Sequence, residues 1–346
     1  PTLTGMRGSH EGSFEVAHAL AWRGEKPSQY KPLDEHYDLV VVGAGMSGLA
    51  AAHFYQKKMG PDARIVIMDN HDDFGGHAKR NEFHQGDRMM LSLGGAQNLM
   101  NPESYSKAAS SLMRAIGIDE GFVTSMGANT PADQFLGGEM TEPNGISLPG
   151  PDGHTTVAGN WLATIFGGEG YEKYVRTLPL PSSEQDKFID FFGGKRDFLD
   201  DMSLSKTWTY INTVSYNRFL LDRVKLDETS LPVMNSILVH NTGMSGWNLS
   251  VLEAITQGGP GIKSLGWLAR TSASIAGAFI DSLLNVKMFP DGNASVARLI
   301  VKNLVPAVAT DMQGPEDVAV ARFNYDALDR ANQPTRIRLN STVVGA

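Results

Sequence analysis

The stretch from Tyr37 to Asp69 constrains this chain more than any other. Tyr37–Val42 (YDLVVV) is a nearly continuous apolar run, as expected of a parallel strand buried on both faces. It leads through Gly43-Ala44-Gly45-Met46-Ser47-Gly48 into Leu49–Met59, which reads as a helix ended by Gly60-Pro61-Asp62. Arg64–Met68 (RIVIM) follows as a second strand and closes on Asp69. Each glycine answers a steric need of a βαβ unit that holds a dinucleotide. Gly43 permits the tight turn, Gly45 lets the backbone approach a pyrophosphate, and Gly48 lets the helix pack closely on the strand. The amides at the helix start, at Met46 and Ser47, then face the phosphates, and the helix dipole adds to their pull. Asp69 stands 69 − 48 = 21 residues beyond the last glycine, where a carboxylate accepts hydrogen bonds from ribose hydroxyls. The competing explanation is an α/β protein whose turn glycines bind nothing.

Composition removes several other functions. With 30 basic against 38 acidic residues the net charge is −8, which disfavours nucleic acid and mildly favours a cationic small molecule. The absence of cysteine excludes disulfides, thiolate catalysis and cysteine-ligated iron–sulfur or zinc centres. No apolar run approaches the roughly 18 residues of a spanning helix. Neither an H-E-x-x-H pair nor a G-x-S-x-G elbow occurs, so no metal site is expected and a serine hydrolase is disfavoured. His71, His77 and His84 are near in sequence but lie in predicted loops, where ordinary polar residues are the simpler reading.

Further elements follow from caps and breakers. Ser13–Leu20 suits a short helix inside an otherwise irregular N-terminal stretch. Asn101-Pro102-Glu103 supplies a cap, a first-turn proline and an acid for a helix to about Ile116, stopped by Gly117. Ser182 and Gln185 give a capping-box pattern ahead of Phe188, Phe191 and Phe192, with Gly193-Gly194 as the stop. Ser295–Val305 reads as a helix ended by Pro306, and Thr335–Val344 as a strand. That strand stops within two residues of the last one, so its sheet is expected to be finished elsewhere, by further chain or by a companion polypeptide.

Beyond Asp69 the run Asn70-His71-Asp72-Asp73-Phe74-Gly75-Gly76-His77-Ala78-Lys79-Arg80 resembles the FAD-dependent amine oxidase superfamily. Leu93-Gly94-Gly95-Ala96-Gln97 is similar to that family's flavin-facing loop, and Phe289-Pro290-Asp291-Gly292-Asn293 to its aromatic-Pro-x-Gly-Gly segment, with Asn293 in place of the second glycine. The closing strand resembles the one that re-enters the FAD domain, which places Val343 near the cofactor. Gly5–His18 and Asp73–Phe83 are similar to bacterial flavoproteins of the spermidine dehydrogenase type. The resemblance implies a Rossmann-like FAD-binding domain interrupted by a mixed α+β substrate domain, with the C-terminal part of the FAD domain missing. It divides the chain into an extension (1–36), the βαβ unit with its flavin-facing loops (37–100), a substrate or cap domain (101–285) and an incomplete return to the FAD domain (286–346). FAD is the implied cofactor, with Gly43, Gly45, Met46, Ser47, Gly48, Asp69, Asn70, Gly75, Gly76, His77, Arg80, Gly94, Gly95, Ala96 and Val343 as its contacts. The family's usual export signal implies a periplasmic location.

The implied chemistry is hydride transfer from a carbon beside an amine nitrogen to flavin N5, with a polyamine such as spermidine as substrate and hydrolysis of the imine by water. Electrons then pass to oxygen, a quinone or a haem protein. No catalytic residue is nominated. Lys79 and Arg80 are candidate partners for the pyrophosphate. Trp161, Phe166, Trp208, Tyr210, Tyr216 and Trp247 are candidate walls of an amine pocket, and Asp200, Asp201, Asp222 and Glu253 candidate partners for its nitrogens, with core or surface roles as the plainer alternatives. The other functions open to the sequence are a flavin oxidoreductase acting on a non-amine substrate and a non-catalytic dinucleotide-binding subunit of a larger complex.

Overall fold

The computed structural model describes residues 10–127, 144–150, 153–159, 161–165, 167–266 and 286–345. Residues 5–9 of the resemblance and Phe166 lie outside them. In chain order the first elements are α1 (Glu15–Arg23), β1 (Leu39–Val42), α2 (Met46–Met59), β2 (Ile65–Met68), the hairpin β3 (Arg80–Gln85) and β4 (Arg88–Leu93), and α3 (Lys107–Ala115). Then come the hairpin β5 (Asn144–Gly150) and β6 (Gly153–Gly159), α4 (Ser182–Gly193), α5 (Leu204–Thr213), α6 (Leu231–Thr242) and α7 (Val251–Thr256). The chain closes with α8 (Ala294–Leu304) and β7 (Thr335–Arg338).

Contacts divide the chain into two compact units, 1–133 with 286–346, and 134–285. The first holds a parallel three-stranded sheet in the order β1-β2-β7, registered Leu39 on Ile65 and Ile65 on Thr335. α2 packs on β1, β2 and α8 and buries Leu49, Ala52 and His53, which recur along one helical face, with the His53 ring 3.0 Å from Asn303 of α8. Behind it runs α8, of whose 11 residues nine are buried, Ser295 and Arg298 among them, so the helix is enclosed on most sides. Residues 101–127, expected with the cap domain, group with this unit: Met113, Ile116, Ile118, Val123 and Met126 are part of its core.

The second unit has its own core, dominated by Phe188, Phe191, Phe192, Phe198, Tyr216 and Phe219. α4 forms where expected and ends at Gly194 in the left-handed region (φ 66°), but the capping box does not form. Pro181 is its N-cap, and Gln185 Nε2 instead donates to the carbonyls of Leu178 (2.9 Å) and Leu180 (3.2 Å). The helix expected from Asn101 also starts later. Pro102–Ser104 is a single 3-10 turn, Tyr105 is extended, and Ser106 caps α3 by accepting from the Ala109 amide. The last strand is shorter than expected. It stops at Arg338 because Asn340 turns left-handed (φ 51°) and the amides of Asn340 and Ser341 go to the carbonyls of His71 and Asp69.

A candidate dinucleotide-binding cleft

Three loops meet at the carboxyl end of β1. The first is the turn Gly43–Gly48, where Gly45 caps α2 and the Gly43 amide donates to the Met68 carbonyl (2.7 Å). A β-carbon on Gly48 would overlap the Gly43 carbonyl oxygen and press on Val41 Cγ1, so only glycine lets α2 leave the strand at this angle. The second loop carries Gly75 and Gly76. It docks backbone to backbone on the first, with the Gly75 amide donating to the Ala44 carbonyl (2.8 Å). Gly76 is left-handed (φ 59°), and a β-carbon there would lie 3.1 Å from Gly45 Cα. The third loop brings Ala96, whose amide donates to the His77 carbonyl (2.8 Å) and whose carbonyl accepts from the Asn293 amide (2.9 Å).

The cleft so formed has a volume of about 420 Å³. Gly43, Gly45, Met46, Ser47, Gly48, Gly75, Gly76, His77 and Ala96 line it, all of them expected, together with Val42, Ala78 and Asn293. Asn293 is the N-cap of α8, so the cleft receives two helix N-termini, that of α2 and that of α8. Neither helix carries an acid in its first turn; at α8 the buried Asp291 carboxylate lies just ahead of the cap and accepts from Ser295, so the positive end of α2 is the one left for an external anion. Asn293 Oδ1 is buried without a hydrogen-bond partner among the described residues, an acceptor left for a donor of the ligand. The signal for Asn293 is Pro290-Asp291-Gly292 followed by an apolar helix, which marks a second helix start rather than a failed glycine match.

Other expected contacts stand elsewhere. Asp69 is buried, and its two carboxylate oxygens accept from the amides of Ala44 (2.7 Å) and His71 (2.9 Å). Its carboxylate braces the glycine turn and is not among the cleft lining. Asn70 reaches back to the Ser13 carbonyl. Gly94 and Gly95 lie against the backbones of Arg80 and His77, where they allow the third loop to approach. Val343 is half-buried beyond β7 and does not line the cleft.

Arg80 needs a correction of the expectation that it meets the pyrophosphate. Its guanidinium is enclosed, donating to Asp291 (2.6 Å), Glu82 (2.7 Å) and the Ala319 carbonyl (2.7 Å). Burial pulls it below the ordinary arginine range, with Arg298 adding to the effect while Asp291 and Glu82 oppose it. Its charge is therefore spent on tying β3 to the start of α8. Glu82 also accepts from His84, at 2.6 Å. His71 packs edge-on against His10, and His77 lies at the cleft, so the three histidines occupy three different environments. Burial lowers the His71 pKa, and Lys79 lowers it further.

A second cavity of this unit, about 560 Å³, lies at the opposite ends of the same helices, beside Gly60, Asn303 and Pro306. Helix C-termini present carbonyls and partial negative charge, so that end repels the anion that the glycine cleft attracts.

In the second unit Trp161 and Tyr216 are core: Trp161 Nε1 donates to the Val157 carbonyl and the Tyr216 hydroxyl to the Pro260 carbonyl. Trp208 and Trp247 are exposed, and Tyr210 lies under the Arg223 guanidinium. Asp201 pairs with Arg223, Asp222 with Arg218, and Glu253 closes a capping box with Ser250, while Asp200 is exposed. Three of the four acids are therefore already engaged within the unit.

No curated protein sequence matches the chain. Among solved structures it is similar to a putrescine oxidase with putrescine bound, at 14% identity over 78% of this chain with a TM-score of 0.33. It is also similar to an oxidoreductase from Methanosarcina mazei (14% identity, 69% of this chain, TM-score 0.26) and to a protein from Pyrococcus furiosus (15%, 67%, TM-score 0.23). The chain covers 49% of each of these, so it spans about half their length. Residues 41–116, which carry the first two loops and Ala96, match the family model described as an NAD(P)-binding Rossmann-like domain. This part of the chain has the Rossmann-like βαβ fold that the family model describes.

Proposed function

We propose that the chain is the FAD-binding part of a flavin-dependent oxidoreductase that acts on an amine of the polyamine class. The observation that carries this reading is the cleft itself. The acid-free N-terminus of α2, the start of α8 and the backbones of Gly45 and Gly76 converge where a pyrophosphate fits, with left-handed Gly76 too close to Gly45 to carry a side chain. The likeness of residues 73–83 to spermidine dehydrogenase-type flavoproteins supports FAD over a nicotinamide cofactor and a polyamine over other amines. When bound, FAD supplies an acceptor for the hydride that leaves the carbon beside the amine nitrogen. The chain's own part is binding and orientation. The amides at the start of α2 hold the phosphates, Asp69 fixes the turn that presents them, and the Ala96 loop with Asn293 closes the opposite wall. A quinone, a haem protein or oxygen takes the electrons onward, in a periplasmic setting.

A companion polypeptide belongs to the same proposal. β1 pairs only with β2 among the described strands, yet Val40 and Val42 are 52% and 63% exposed. Strands of a parallel sheet are normally covered, and an open apolar edge invites a further strand.

The deciding measurement is the visible spectrum of the purified protein before and after anaerobic addition of spermidine. Bands near about 370 and 450 nm that bleach are the expected result, since the flavin carries the chemistry. Bands that persist retain the flavin and remove polyamines; a colourless protein that also fails to take up added FAD removes the enzyme reading and leaves the structural subunit.

A further inference from the structure

The segment ahead of α1 is bound to the loop that follows β2. His10 Nε2 lies 3.0 Å from the Asp72 carboxylate, and the His10 and His71 rings meet edge-on with centroids 5.4 Å apart. Asn70 Nδ2 donates to the Ser13 carbonyl. The segment is a closed hook: Ser13 Oγ donates to the His10 carbonyl (2.7 Å) and accepts from the His10 amide (3.1 Å). Ser13 is 5% exposed although polar, whereas α1, which follows, buries no residue at all. The hold is therefore local to four residues and is polar, not the apolar docking that would anchor an extension.

The position of this hook gives it a role. The loop it grips begins at Asp69, whose carboxylate holds the Ala44 amide in the glycine turn. Contacts thus run without interruption from Ser13 through Asn70 and Asp69 to Ala44. In a βαβ dinucleotide unit the nucleoside ribose lies against the end of the second strand, where the hook sits. We infer that His10–Ser13 is a cap over the ribose end of the cleft that slows release of the adenosine half of the cofactor. This rests on the reading of the cleft as an adenine-dinucleotide site.

The test compares FAD with FMN, which lacks the adenosine half, on the full chain carrying His10→Ala, His10→Gln or Asn70→Ala. Release is read from the rise in flavin fluorescence on dilution, and folding from the melting temperature of the cofactor-free protein. His10→Ala and Asn70→Ala are expected to release FAD about tenfold faster with unchanged melting and unchanged FMN affinity. His10→Gln, which keeps a donor for Asp72, is expected to stay near the original rate. Unchanged FAD release, or FAD and FMN weakened alike, overturns the cap while leaving the cleft reading in place. Failure of the unaltered chain to bind any adenine dinucleotide overturns both.

Discussion

A β-carbon added at Gly45 would lie 3.8 Å from Gly76 Cα, an ordinary contact, and Gly45 has an extended backbone that any residue adopts. Three residues on, the same addition at Gly48 collides with the backbone of its own turn. The two glycines therefore separate binding from folding. Gly45→Ala is expected to melt within a degree or two of the parent and to lose FAD affinity by tenfold or more, because the new methyl projects where the pyrophosphate must approach. Gly48→Ala is expected to cost about 1–3 kcal/mol of stability, the range for overpacking, measured by urea unfolding. Asp69→Ala leaves the Ala44 amide without its acceptor and is expected to cost about 1–3 kcal/mol as well. Of the nine expected residues that line the cleft, the five between Gly43 and Gly48 were legible because their spacing encodes a steric need, while Gly75, Gly76, His77 and Ala96 came from the family resemblance. Arg80 was misjudged because the residue that claims it, Asp291, lies 211 positions away. A basic residue after two glycines shows that a charge is near, not which partner has taken it.

Elements were legible where their determinants are local. α8 runs within one residue of expectation, since an apolar block bounded by Asn293 and Pro306 leaves little choice. Starts and stops went astray where a side chain had a better partner outside the local pattern, as with Gln185 on the Leu178 carbonyl or the Asn340 amide on His71. α4 offers a test of how such partners stabilise an element. Glu184, on its first turn, is buried and accepts from Ser230 Oγ (2.6 Å), the Asp227 amide (2.9 Å) and Lys187. Burial alone would raise its pKa; these three donors outweigh it and hold the carboxyl below its ordinary range. A carboxyl whose folded pKa lies below its unfolded one adds stability above the unfolded value and loses it as pH falls through the folded value. Stability of the second unit is thus expected to decline on acidification below the ordinary glutamate range, and Glu184→Gln to flatten that decline. Urea midpoints measured from pH 7 down to 3 check the slope.

The parallel sheet of the first unit has one covered edge problem and one open one. At β1 the amides of Leu39 and Gly43 point to β2, so by the alternation of a parallel ladder those of Val40 and Val42 face away from it. In the chain alone these two amides are expected to exchange with solvent far faster than those of Val66 and Ile67, and to become protected when a companion polypeptide completes the sheet. Hydrogen exchange followed by NMR reads this directly; protection of Val40 and Val42 in the chain alone would count against an added strand. At the other edge, Arg338 of β7 stands 338 − 68 = 270 positions beyond its register partner Met68. During synthesis at roughly 5–20 residues per second, β2 must wait about 14–54 s for its neighbour. Through that interval the whole second unit emerges while the first cannot close, which makes the sheet a late, high-contact-order event. The order in which this protein matures is therefore set by topology: its middle is free to fold first, and the glycine cleft, whose α8 wall is also made late, can receive no cofactor until the end has returned to the beginning.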